Sequence, residues 1–235
     1  MCTPRNRSDT HLFPKTGRMH LRILLIDPNS SRVGTDLMDR NVEKLPAWGG
    51  LHIHCTTLDE GPPGIKTQFD IDSVGAPLCR VIVVESDKTN ASVIGCFADQ
   101  GLYSVRETAD KPVLGICEAE ISMSPTVDEH FGVMSTATQS RNTELRLIRS
   151  HDYLHRCVGL EPIDMPLASI PTASDAEDRA IDAGAQMKRH GTDVLVQGRA
   201  GMARCGTALQ ERLGLPVVYP SVVAVAMAMG IVALG

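Results

Sequence analysis

The pattern of this 235-residue chain occurs twice, and that repetition limits its fold more than any other feature. LRILLIDPNS, beginning at Leu21, has its counterpart in FGVMSTATQS, beginning at Phe131 about 110 residues later. VIGCFADQGL pairs with VLVQGRAGMA, placing Cys96 opposite Arg199 at a separation of 103 residues. PVLGIC pairs with PVVYPS, 104 residues apart from Pro112 to Pro216. Each motif is a short apolar run ending in small or polar residues before a helical stretch, which is how a parallel strand feeds a crossover helix. The repeat therefore predicts an α/β fold of two pseudo-symmetric parallel-sheet domains. Ligands in such sheets bind beyond the strands' carboxyl ends. A pseudo-dyad would bring Asn29, Cys96, Thr136 and Arg199 to one cleft between the halves.

Periodicity fills in the elements. In the first half a strand from Leu21 stops at Asp27-Pro28, a helix spans Ser31–Leu45, and a strand spans Leu51–Leu58. Val81–Val84 has strand propensity, but the alternating order requires a helix at about 76–88. After the strand that ends at Cys96 come a helix near 100–109, a strand Pro112–Cys117 and a helix near 118–129. The second half reads as strand Phe131–Thr136, helix Glu144–Cys157, strand Pro162–Leu167, helix Asp175–His190, strand Asp193–Gln197, helix Met202–Leu213 and strand Pro216–Tyr219. Val222–Leu234 closes the chain. The expected division is a disordered tail over 1–19, a first domain of 20–118 closed by 221–235, and a second domain of 119–220. The tail lacks periodicity and is expected to be dispensable for folding.

Composition removes several function classes. Aromatic residues make up only 3% of the chain, so the core must rest on aliphatic side chains, and base-stacking surfaces are disfavoured. Net charge is -5, and the basic residues of the tail (Arg5, Arg7, Lys15, Arg18) leave the body more acidic still. That gives no footprint for nucleic acid. The apolar C-terminal run of 14 residues from Val222 would be about 21 Å long as a helix, too short for a bilayer core of about 30 Å. No membrane association is expected. Seven cysteines without a CxxC point to neither a disulfide framework nor a zinc knuckle, and the simplest compartment is a reducing cytoplasm. His151 and His155, spaced for one helix face, and His52 and His54 on a strand lack further ligands, so no metal site is expected. No dinucleotide fingerprint or P-loop is present.

With DPNSS, GCFADQGL, PVLGICEA and the AGM after Gly198 in this order and spacing, the chain resembles the aspartate/glutamate/hydantoin racemase superfamily, most closely its hydantoin and allantoin racemase branch. The likeness runs from about His20 to the end. It implies cofactor-independent chemistry in which two cysteines, one per half, exchange protons with opposite faces of a stereocentre. It further implies a catalytic role for Cys96 and substrate contacts from Asn29, Ser30, Phe97, Ala98, Thr136, Ala200 and Gly201. The substrate would be a small hydantoin-, ureido- or amino-acid-like molecule, one bearing a carboxylate or a hydantoin ring, and a homo-oligomer is expected.

The chain departs from the family at the second thiol, where GCAGM is GRAGM. Arginine cannot act as a base at accessible pH. Arg199 has three readings: it clamps a substrate carboxylate, it lowers the pKa of Cys96 across the cleft, or it records decay of the site. The family's usual aspartate after PVI is Tyr219 here, a second departure. Cys55, Cys79, Cys117, Cys157 and Cys205 read as core or incidental. The short turn and helix after Cys96 suggest a reactive, thiolate-prone group. Two rivals to the racemase reading remain: a one-thiol, decarboxylase-like lyase, and a non-catalytic binder that retains the cleft.

Overall fold

The computed structural model describes residues 20–43, 45, 50–136, 138–166, 169–170 and 172–234. The tail over 1–19, and the expectations attached to it, lie outside these residues. The first half contains β1 (Leu21–Asp27), α1 (Arg32–Val42), β2 (Leu51–Thr57), α2 (Gln68–Ser73), α3 (Gly75–Glu85), β3 (Ala91–Ile94), α4 (Leu102–Thr108), β4 (Val113–Gly115) and α5 (Ile116–Val127). The second contains β5 (Phe131–Ser135), α6 (Arg141–Ser150), β6 (Cys157–Pro162), α7 (Ala176–Arg189), β7 (Val194–Gln197), α8 (Gly206–Leu213), β8 (Val217–Val218) and α9 (Pro220–Ala233).

The strands form two four-stranded parallel sheets with the same order, β2-β1-β3-β4 and β6-β5-β7-β8. This is the α/β architecture expected from the repeat. Of the central strands, β3, β5 and β7 are buried along their whole length and β1 everywhere but Arg22, as sheets covered by helices on both faces require. Val81–Val84 lies in a helix: Leu78 and Ile82 are buried one turn apart on α3, while Val83 and Val84 face solvent. Burial of one face has outweighed β propensity. After β8 the chain returns to the first sheet, where Ala224, Val225, Ala228 and Met229 of α9 join the core of Ile23, Leu25 and Val93. No helix among the described residues is long and apolar enough to cross a membrane.

Several boundaries differ from the sequence reading: α1 ends at Val42, and α8 starts at Gly206 after a 3₁₀ segment over Ala200–Cys205. α6 stops at Ser150, because Asp152 turns left-handed at φ +62°, so His151 and His155 do not share a helix face. The strand expected over Pro162–Leu167 lies earlier, at Cys157–Pro162. Beyond it, Ile163 and Met165 still donate to the carbonyls of Ser135 and Thr136 at 2.9 and 3.0 Å; Leu167 is outside the described residues. β4 ends at Gly115, and Cys117 falls in the first turn of α5 rather than at a strand end. There both oxygens of the Asp99 carboxyl accept backbone N–H groups, from Cys117 at 3.0 Å and Glu118 at 2.8 Å. A Cβ at Gly115 would collide with that carboxyl, so glycine is needed for the cap to form.

α5 also joins the halves. Phe97, Cys117 and Ile121 pack with Phe131, Val133, Val196 and Val218 in one apolar core. Within the joint, the fully buried Glu120 accepts the N–H of Gln197 at 2.9 Å. Burial, aided by the nearby charge of Asp99, pushes the Glu120 carboxyl well above its ordinary 4.5. The folded chain therefore keeps a proton that the unfolded chain loses above about 4.5, and this group's contribution to stability falls as pH rises through the folded value. Glu120→Gln keeps the acceptor for Gln197 and abolishes the titration. Thermal melts should show the variant gaining on the parent between about pH 5 and about pH 8; a gap independent of pH would contradict this account.

Candidate active site

The two halves present their central strands' carboxyl ends in the same way. Gly95 donates its N–H to the Ile26 carbonyl at 2.8 Å, and Gly198 donates to Met134 at 2.9 Å. A Cβ on either glycine would press on the neighbouring strand's carbonyl, at 3.1 Å from Ile26 and 2.9 Å from Met134. This close approach fixes the next residue of each half, Cys96 and Arg199, at equivalent positions. The thiol of one half and the guanidinium of the other therefore stand at matching positions of the repeat.

Cys96 and Arg199 line one narrow cavity with Asp27, Asn29, Phe97 and Gly201. α1 packs against the 3₁₀ segment Ala200–Cys205, and Gly34 lets that helix approach the Asp27 carboxyl. Phe97 and Arg199 also line an adjoining cavity with Ala98, Ser140, Glu144 and Lys66. Asn29, Cys96, Phe97, Ala98, Arg199 and Gly201 are therefore assembled around contiguous space. Ser30 and Thr136 line neither cavity: the Ser30 N–H is bound to the Pro62 carbonyl at 2.9 Å, and Thr136 is buried beside the end of β5. Ala200 opens the 3₁₀ segment, and its side chain is outside the described part of the structure. Cys205 points into the second-half core, and Tyr219 stands beside Gly206 and Thr207, away from both cavities. A roomier groove, about 480 Å³, lies at the start of β4 near Lys111 and His151, remote from the strand ends.

Electrostatics around the thiol are dominated by loss of water. Cys96 is only 8% exposed, and burial raises its pKa above 9.0 against the opposing influence of Arg199, the Ala98 N–H and Gln100. The Gln100 amide donates to its sulfur at 3.0 Å. The sequence-based expectation of a thiolate-prone Cys96 is reversed: α4 begins only at Leu102, too far along the chain for its N-terminus to serve the sulfur, and desolvation prevails. Asp27, 3% exposed, is pushed by burial up to about 7, although Asn29 and Arg199 pull it down. Its carboxyl accepts a short hydrogen bond from the Asn29 amide, whose own oxygen accepts the Ser31 N–H at 2.8 Å. Arg199 forms no ion pair among the described residues, and its buried Nε has no hydrogen-bond partner there.

Sequence reasoning passed over Asp27, Gln100 and Glu144. Asp27 had a signal, an acid at the carboxyl end of the first strand. Glu144 had a fainter one, since it shares the buried face of α6 with Ile148 four residues on. Among the described residues, no group of three or more His, Cys, Asp or Glu side chains is arranged to hold a metal ion.

These surroundings make Cys96 a slow thiol. Iodoacetamide labelling at neutral pH, followed by peptide mapping, should modify the partly exposed Cys79 before Cys96. Arg199→Met should slow Cys96 further, because the guanidinium is the largest influence favouring its thiolate. First labelling at Cys96, or faster labelling in the variant, would contradict this electrostatic picture.

Comparisons with known proteins bear on the family and the fold. The Asp/Glu/hydantoin racemase family model matches residues 23–228. Hydantoin racemase from Paenarthrobacter aurescens is 31% identical over 222 residues, covering 92% of each chain. The solved allantoin racemase from Klebsiella pneumoniae superposes with a TM-score of 0.85 at 28% identity, covering 92% of this chain and 89% of that one. Glutamate racemase from Francisella tularensis, at 17% identity and a TM-score of 0.64 over 90% and 81% of the two chains, shares the fold. The duplicated sheets, the strand-end site and this match over nearly the whole folded chain show that the protein is an enzyme of the Asp/Glu/hydantoin racemase family.

Proposed function

We propose that this enzyme moves a proton at the carbon next to a carbonyl in a small hydantoin-, ureido- or amino-acid-like substrate, with Cys96 as acid/base and Arg199 in place of the second thiol. The observation that carries this reading is the shared cavity: Cys96, Asp27 and Arg199 line one space at facing strand ends. The division into a first domain, 20–118 with 221–235, and a second, 119–220, is part of the same reading. It is supported by the grouping of β1–β4 and β5–β8 into separate sheets.

The chemistry follows from the environments. A thiol raised by burial is a poor base unaided, and Asp27, which titrates near 7 in the same cavity, is suited to exchange protons with it. As a proton leaves the substrate carbon, negative charge grows on the adjacent carbonyl or carboxylate. Arg199, cationic at every working pH and free of ion pairs among the described residues, stabilises that charge. It can clamp a carboxylate through two parallel N–H groups, but it cannot return a proton to the opposite face. Proton transfer is thus confined to the face served by Cys96, and inversion should be slow.

Replacing Arg199 tests this directly. Arg199→Cys restores a titratable group at the equivalent strand end and should create or raise racemisation of a 5-substituted hydantoin, followed by polarimetry. An acid/base group contributes about 10²–10⁴-fold, so the rescue should be easily seen, and Cys96→Ala should abolish it. Brisk racemisation by the unmodified enzyme, lost in Cys96→Ala but untouched in Arg199→Ala, would mean that another group supplies the second proton.

A further inference from the structure

Glu144 has no part in that chemistry, yet its carboxyl is 4% exposed and lines the cavity it shares with Arg199. One oxygen accepts the Ser135 hydroxyl at 2.9 Å, and Ser140 also bonds to the carboxyl. The other oxygen, Oε2, is buried without a hydrogen-bond partner among the described residues. Buried acceptors are seldom left unmet, and one that lines a small cavity beside the one at Cys96 points to a donor arriving with the ligand. Arg199 completes the pattern: among the described residues its buried Nε has no hydrogen-bond partner, and it forms no ion pair with Glu144. The same cavity thus offers a guanidinium outside ion-pair distance of the described carboxylates and a carboxyl oxygen with no donor among the described residues, with the exposed Lys66 adding positive charge.

We infer that Glu144 is a specificity-determining residue that receives an N–H of the substrate, and that the preferred substrate is an open-chain amino-acid derivative carrying both a carboxylate for Arg199 and an N–H for Glu144. A neutral ring satisfies only the second of these partners. The inference rests on the proposed reading of this cleft as the substrate site. Two molecules share the required chemistry, an N-carbamoyl amino acid and the free amino acid with its ammonium group.

Calorimetric titration of the full chain carrying Cys96→Ser, which cannot turn the ligand over by the proposed route, tests the inference. The probes are an N-carbamoyl amino acid, its derivative methylated on the α-nitrogen, the free amino acid, and the neutral hydantoin with the same side chain. Methylation should weaken binding by about tenfold or more, because it leaves a buried acceptor unmet. With Glu144→Met added, the methylated and unmethylated ligands should bind alike. The Ser135 and Ser140 hydroxyls, 2.8 Å apart, can still pair with each other in that variant. The tighter of the carbamoyl and free amino acids identifies the source of the N–H. Three results would overturn the inference: no methylation penalty in Cys96→Ser, an undiminished penalty in the Glu144→Met double variant, or tighter binding of the neutral hydantoin. The first and third are read without any change at Glu144, so a variant that failed to fold would not shield the proposal. Failure of the underlying function would appear differently, as an unmodified enzyme that binds these ligands but exchanges no substrate hydrogen with solvent.

Discussion

Desolvation where the two sheets meet governs the chemistry of this enzyme. Asp27, Asp99, Glu120 and Glu144 are all buried there, and burial is the leading cause of the upward shift in each carboxyl pKa. The thiol of Cys96 is raised for the same reason. Arg199 opposes these shifts at Asp27, Cys96 and Glu144, which makes it the electrostatic centre of the site. Charges interact more strongly away from water, so a single guanidinium here has more influence than it would on the surface. In the proposed mechanism, a guanidinium at this strand end stabilises charge but cannot return a proton.

The fold was legible in the sequence because the repeat and the apolar strands are local signals. Cys96 and Arg199 could be matched by counting, and the glycines before them prove to make the same strand-to-strand contact in both halves. Element boundaries after residue 150 were less legible. A left-handed Asp152 ends α6, and no periodicity announces that turn. Burial was the harder quantity to read. The sequence placed Cys96 before a helix and suggested a thiolate, whereas the folded chain encloses the sulfur and raises its pKa. Glu144 was hidden for a related reason: on a helix of mixed polarity a lone acid looks solvated, and only the packing of α6 shows it facing Arg199 across a cavity.

Membership of a racemase family is compatible with the proposed one-thiol site, because the fold supplies more than a single side chain. It supplies paired strand ends, matching backbone contacts at Gly95 and Gly198, and a joint between the halves at Glu120 and Gln197. With Cys96 as the proposed acid/base thiol, a carboxyl titrating near 7 and a guanidinium beside it would let the site labilise a proton and return it to the same face.

The stereochemical course of hydrogen exchange tests this central claim most directly. One enantiomer of a 5-substituted hydantoin and of the matching N-carbamoyl amino acid would be incubated with the unmodified enzyme in deuterated water. Label at the stereocentre is read by mass spectrometry and configuration by chiral chromatography, both against the uncatalysed rates. The account predicts enzyme-dependent deuterium incorporation with configuration largely retained. Incorporation that keeps pace with inversion would show protons reaching both faces, and would contradict it.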